Sequence, residues 1–127
     1  MPQDSDIDTL VREFVAAFGT RDVSRLAPYL HPDVVFESYG DGEVHGRDAV
    51  VQVWKGVFSH FAQVKFETVH QAVNGDVVIA EQIHGLALPG RELASIRNMA
   101  VYEIRDGKIA AWRDYSNPTY GTELLNN

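Results

Sequence analysis

His84 and Asp114 stand in largely apolar strand-like runs, where an ionisable group on the inward face is costly. His84 lies within Val77-Val-Ile-Ala-Glu-Gln-Ile-His-Gly-Leu-Ala87, and Asp114 within Ile109-Ala-Ala-Trp-Arg-Asp-Tyr115. A carboxylate in such a setting either reaches solvent or is held in an apolar pocket, where its charge must be compensated or used. Strand alternation puts Ala80, Gln82, His84 and Leu86 on one face, groups Asn98 with Ala100 and Tyr102, and groups Trp112 with Asp114 and Ser116. If these sets share a concave face, two acid–base assignments are open. In one, His84 is the general base and Asp114 orients it; in the other, a dry site raises the pKa of Asp114, which moves the proton while His84 donates a hydrogen bond. Gln82 and Asn98 would donate to a substrate carbonyl as its oxygen gains charge. The plainer readings are a packed histidine, and an aspartate paired with Arg113, Arg97 or Lys108 at a sheet end.

The elements that must position these residues are well punctuated. Ile7, Leu10, Val11, Phe14, Val15 and Phe18 recur at helical spacing, with Asp4 or Ser5 to cap the start and Gly19 to end it. A short second helix is predicted after Ser24, through Leu26, Tyr29 and Leu30, stopping before His31-Pro32. Asp33 to Tyr39 reads as a strand with Val34, Phe36 and Ser38 on one face, turned by Gly40-Asp-Gly42. Gly46-Arg47-Asp48 opens a third helix, striped by Val50, Val53, Trp54, Val57, Phe58 and Phe61. Period-two patterning then predicts strands at 63–73, 77–88, 92–105 and 109–116, joined through Asn74-Gly75-Asp76, Pro89-Gly90-Arg91 and Asp106-Gly107-Lys108.

This order argues for one α+β domain over 1–127, a curved antiparallel or mixed sheet wrapped in a cone around three N-terminal helices. The open end of the cone is the expected pocket. Its wall is expected from Phe36, Ser38, Trp54, Tyr102 and Trp112, beside Gln82 and Asn98. Tyr29, Tyr39 and Tyr115 are further candidates, although tyrosines at sheet edges usually pack with the hydroxyl wet. His31, His45, His60 and His70 read as surface residues, and Pro118 to Asn127 as a tail mobile by default.

Composition excludes several classes. The chain has 127 residues and a net charge of −7, with no basic run longer than two residues, so neither a nucleic-acid groove nor an anionic-membrane patch is expected. It has no cysteine, which removes disulfides, thiolate nucleophiles and cysteine zinc sites and suits a cytoplasmic setting. Neither a signal-type N-terminus nor a membrane-length apolar run is present. No metal-ligand spacing and no phosphate loop is seen, so no metal and no cofactor is expected, which would limit the chemistry to proton transfers.

Three pieces, Pro32-Asp-Val-Val-Phe36, Gly46-Arg-Asp-Ala-Val50 and Asp106-Gly-Lys-Ile…Trp112-Arg-Asp-Tyr115, occur in an order and spacing that resembles the nuclear transport factor 2-like superfamily. That group includes ketosteroid isomerase, scytalone dehydratase, SnoaL-type polyketide cyclases and limonene-epoxide hydrolase. Trp-Arg-Asp-Tyr is similar to the C-terminal strand of limonene-epoxide hydrolases, whose Asp–Arg–Asp set activates water with a Tyr and an Asn; on that pattern Asp114 matches the second Asp. The chain departs elsewhere, with Gln82-Ile83-His84 in place of Arg-x-Asp and Phe36-Glu37-Ser38 in place of Tyr-x-Asn. Gln-x-His resembles the SnoaL-type cyclases instead, whose catalytic Asp falls on Ala100.

Two functions follow. One is a cofactor-independent acid–base enzyme (isomerase, cyclase, dehydratase or hydrolase) acting on a small hydrophobic molecule bearing a carbonyl or epoxide, with His84 and Asp114 as the pair. The other is a non-catalytic binding or dimerisation domain of the same fold. In either case a homodimer through the sheet is expected, with Met99, Val101 and Ile109 facing outward.

Overall fold

The computed structural model describes residues 4–117 together with Thr122, Glu123 and Leu125. The expected tail from Pro118 onward therefore lies almost wholly outside the described residues. Helix α1 (Asp4–Ala17) runs on into a 3₁₀ turn, Phe18–Thr20. Asp4 and Ser5, expected as its cap, already lie inside it, and the left-handed residue that stops the run is Arg21 (φ 54°) rather than Gly19. The predicted second helix forms as two 3₁₀ turns, Val23–Arg25 and Ala27–Tyr29. Pro28 within the second turn has no N–H to offer a longer helix, and Leu30 is already extended.

Strand β1 (Leu30–Ser38) is followed by β2 (Gly42–His45), a short antiparallel partner not expected from the sequence. Its single apolar residue, Val44, gave no periodic signal. Helix α2 (Arg47–His60) buries Val50, Trp54 and Phe58 at i, i+4, i+8. The long meander β3 (Gln63–Asn74), β4 (Val77–Ala87), β5 (Ala94–Arg105) and β6 (Lys108–Ser116) completes a six-stranded sheet in the order β2-β1-β6-β5-β4-β3. All pairings are antiparallel except β1 with β6, which is parallel, so the sheet is mixed. The fold is the α+β cone, with helices packed on the concave face of the curved sheet.

The core sits between the helices and that face. Phe18 meets Trp54 edge-on at 4.8 Å and stacks on Phe66 of β3 at 4.8 Å, while Trp54 stacks on Trp112 of β6 at 5.4 Å. Such aromatic pairs add roughly 0.5–1.5 kcal/mol each beyond the area they bury. The outer face carries Ile79, Met99 and Tyr115, all exposed, with Val101 half-buried. Ile109, expected there, is fully buried. The reason is a bulge: Glu103 pairs with Ala111 but Ile104 with Ile109, so Ala110 is an extra residue and Ile109 turns inward with Trp112. No helix among the described residues is long and apolar enough to cross a membrane.

Candidate functional site

Register brings the polar residues together. Gln82 on β4 faces Asn98 on β5 directly, Ala100 faces Asp114 on β6, and Ser38 on β1 faces Asp114 across the parallel pair. The side chains of Gln82, Asn98 and Asp114 are buried, at 1%, 3% and 7% exposure, and groups this polar persist there only with partners. Gln82 Nε2 donates to the Tyr102 hydroxyl (3.0 Å), which leaves its Oε1 as acceptor for Asn98 Nδ2 (3.2 Å) and His84 Nε2 (2.8 Å). With the Gln82 amide so oriented, His84 carries its proton on Nε2, and as a neutral ring it then keeps a lone pair on Nδ1. Asn98 Nδ2 also donates to Asp114 Oδ1 (3.0 Å), and so does Trp112 Nε1 (3.1 Å). Both bonds fall on the same carboxylate oxygen. Oδ2 accepts none among the described residues.

His84 and Asp114 are thus joined through Asn98 and do not form an ion pair with each other. The cause is topological: β5 lies between β4 and β6, so the two residues are two strand spacings apart, roughly 10 Å. The residue on the middle strand has to bridge them. His84 is held from its other side by Phe66, its register partner, with the rings parallel at 3.8 Å.

Electrostatics separate the two groups. Burial pushes the Asp114 carboxyl up to about 6, against the bonds from Asn98 and Trp112 that pull it down. Burial pushes His84 down to about 4. Burial and the Asp114 charge both raise the Tyr102 phenol. Near pH 7 the site therefore holds a largely ionised carboxylate of unusually high basicity and a neutral imidazole.

Asp114 and His84 both line a cavity of ≈ 320 Å³ between α2 and the sheet. Phe36, Ser38 and Trp54 line it as the sequence suggested. Gln82, Asn98, Tyr102 and Trp112 do not: they stand behind it, the first three in the hydrogen-bond network and Trp112 against Trp54 and Asp114. Sequence reasoning missed Asp41, Phe66 and Ser116 in the lining. Ser116 follows Asp114 by one alternation step and was legible as such, whereas Asp41 sits in a turn whose direction no periodicity gives. Tyr39 and Tyr115 pack on each other at the surface, at 5.8 Å, and Tyr29 packs on Phe14. His45, His60 and His70 are exposed; His31 is largely buried, its Nδ1 accepting from Asp33 N at 3.0 Å. Among the described residues no three His, Asp or Glu side chains converge as metal ligands.

A cone of helix and curved sheet with a polar network at the base of an apolar cavity defines the nuclear transport factor 2-like class. Within it the chain belongs to the SnoaL-like domain family, whose sequence profile matches residues 11–112. The ECF RNA polymerase sigma factor SigJ of Mycobacterium tuberculosis (strain ATCC 25618 / H37Rv) is 29% identical over 119 residues, covering 86% of this chain and 37% of that protein. The chain thus spans little more than a third of that curated relative. Among solved structures, an LEH-like epoxide hydrolase of M. tuberculosis superposes with a TM-score of 0.86 at 21% identity, covering 98% of this chain and 92% of that one. A protein described as a SnoaL-like polyketide cyclase, from Jannaschia sp. CCS1, superposes with a TM-score of 0.85 at 15% identity, covering 98% and 94%. These likenesses establish the fold.

Proposed function

We propose that this domain is a cofactor-independent acid–base enzyme that moves a proton on a small, largely apolar molecule bearing a carbonyl or epoxide, with Asp114 as the proton-transferring group. The observation that carries the reading is the asymmetric carboxylate: Oδ1 is fixed by Asn98 and Trp112, Oδ2 accepts no hydrogen bond among the described residues, and Asp114 lines a largely apolar cavity. A base held by one oxygen is oriented before substrate arrives, and its raised pKa brings it close to working pH. His84 acts beside it as a neutral ring that hydrogen-bonds through Nδ1, and Asn98 couples the two. The relatives' assignments as epoxide hydrolase and polyketide cyclase fit proton transfer without naming the reaction here. A homodimer formed through Ile79, Met99, Val101 and Tyr115 of the outer face and a reducing cytoplasm complete the proposal.

The test is turnover of a panel of hydrophobic ketones and epoxides, followed as α-proton exchange or diol formation. Asp114→Asn is expected to lower the rate by about 10²–10⁴-fold, the usual contribution of a placed base. Unchanged turnover in Asp114→Asn would remove Asp114 from the chemistry. The second reading is a ligand-binding module within a larger regulatory protein, and the match to a segment of a sigma factor favours it. It predicts saturable binding in the cavity with no turnover of any panel member.

A further inference from the structure

The cavity is one-sided in charge. Among the described residues that line it, Asp41 and Asp114 are carboxylates and none is Lys or Arg. Arg97 and Arg113 flank the network in sequence but belong to the opposite strand face; Arg97 is exposed and Arg113 is paired with Glu103. Among the described residues no cationic side chain therefore compensates Asp114, whose hydrogen bonds come from neutral donors, Asn98 and Trp112.

Apart from two serine hydroxyls, the polar side-chain groups offered to a ligand are acceptors. Among the described residues Asp114 Oδ2 is an acceptor without a donor, and His84 Nδ1 keeps a lone pair where Nε2 donates to Gln82. Ser38 and Ser116 hydroxyls, beside Asp114, accept as readily as they donate. The rest of the wall is apolar, chiefly Val53, Val57, Phe61, Leu86 and Ile96.

We infer that the cavity takes a cation: a small apolar molecule carrying a basic nitrogen that is protonated at neutral pH. Its N–H groups find their acceptor in the Asp114 carboxylate, and Asp41 extends the negative potential along the cavity. A carboxylate or phosphate ligand would meet like charge from both aspartates and no counter-charge. The inference rests on reading this cavity as the ligand site and adds the ligand class; it does not require turnover.

Benzylamine, benzyl alcohol and benzoate share a ring and a reach and differ in charge, so they read the inference directly. Binding to the full chain is followed by NMR shift mapping of the cavity residues. Benzylamine is expected to bind at least about 10-fold more tightly than benzyl alcohol at neutral pH and low salt, and benzoate not at all. Asp114→Asn should shrink the amine's advantage to within about 3-fold while benzyl alcohol keeps its affinity. Asp41→Asn, in an exposed turn, is the second variant and should trim the advantage by about 2-fold without touching the network. Equal or tighter binding of the alcohol or of benzoate would overturn the cation and leave the cavity as a ligand site. Failure of all three probes to shift any cavity residue would overturn both readings together.

Discussion

Asp114 and His84 are both desolvated, and desolvation moves a carboxyl up and an imidazole down, so the two groups load the fold in opposite senses. For Asp114 the folded value, about 6, lies above the ordinary 3.8. Its favourable contribution is complete below about pH 4 and is lost as pH rises through 6, a change of about 3 kcal/mol. For His84 the folded value, about 4, lies below the ordinary 6.5, so its contribution is complete above about pH 6.5 and is lost as pH falls through 4. Over that window the two largely cancel. Denaturant melts as a function of pH expose them: relative to the double variant Asp114→Asn/His84→Gln, Asp114→Asn alone should gain about 3 kcal/mol between pH 4 and 6.5, and His84→Gln alone should lose about as much. Parallel curves for all the proteins would show that neither group is desolvated. The network residues Gln82, His84, Asn98, Tyr102 and Asp114 were legible as inward-facing sets from alternation. The bridge through Asn98 was not, because it depends on which strand lies in the middle, and strand order is not written in local periodicity.

At the scale of elements, the meander was readable nearly to the residue because Asn-Gly-Asp and Asp-Gly-Lys punctuate long alternating runs. The bulge at Ala110 was not readable, since Ile109-Ala-Ala-Trp112 fits two registers equally well. Only the helices behind the sheet decide that Ile109 and Trp112 both face inward. Strand β4 contains a second constraint. A Cβ on Gly85 would stand 2.9 Å from the Lys65 carbonyl oxygen and 3.1 Å from Leu93 Cδ2. The backbone of β3 approaches that closely beside the pair that sets Phe66 against His84. Gly85→Ala is therefore expected to cost about 1–3 kcal/mol by chemical denaturation and to shift the His84 ring resonances. A variant of wild-type stability would show that β3 can move away freely.

For the whole molecule, the sheet presents its two faces to different environments. The concave face is closed by α1 and α2, but on the convex face Ile79, Met99 and Tyr115 are each more than 40% exposed. A second copy laid on this face across a twofold axis would cover them. Light scattering at micromolar concentration is expected to give a dimer, and Met99→Glu a monomer with the cavity and its ligand affinity intact. A monomeric wild type would leave the convex face to another partner.

The chain has two tryptophans, and the fold brings them into one stack, with ring centroids 5.4 Å apart and planes inclined by 17°. Transition dipoles held that close couple, so the near-ultraviolet circular dichroism should carry an exciton signature that vanishes on unfolding. Because Trp54 forms cavity wall and Trp112 touches Asp114, anything that enters the cavity or titrates the carboxylate perturbs a single chromophore pair. The domain thus carries its own optical reporter of occupancy, readable without label or substrate.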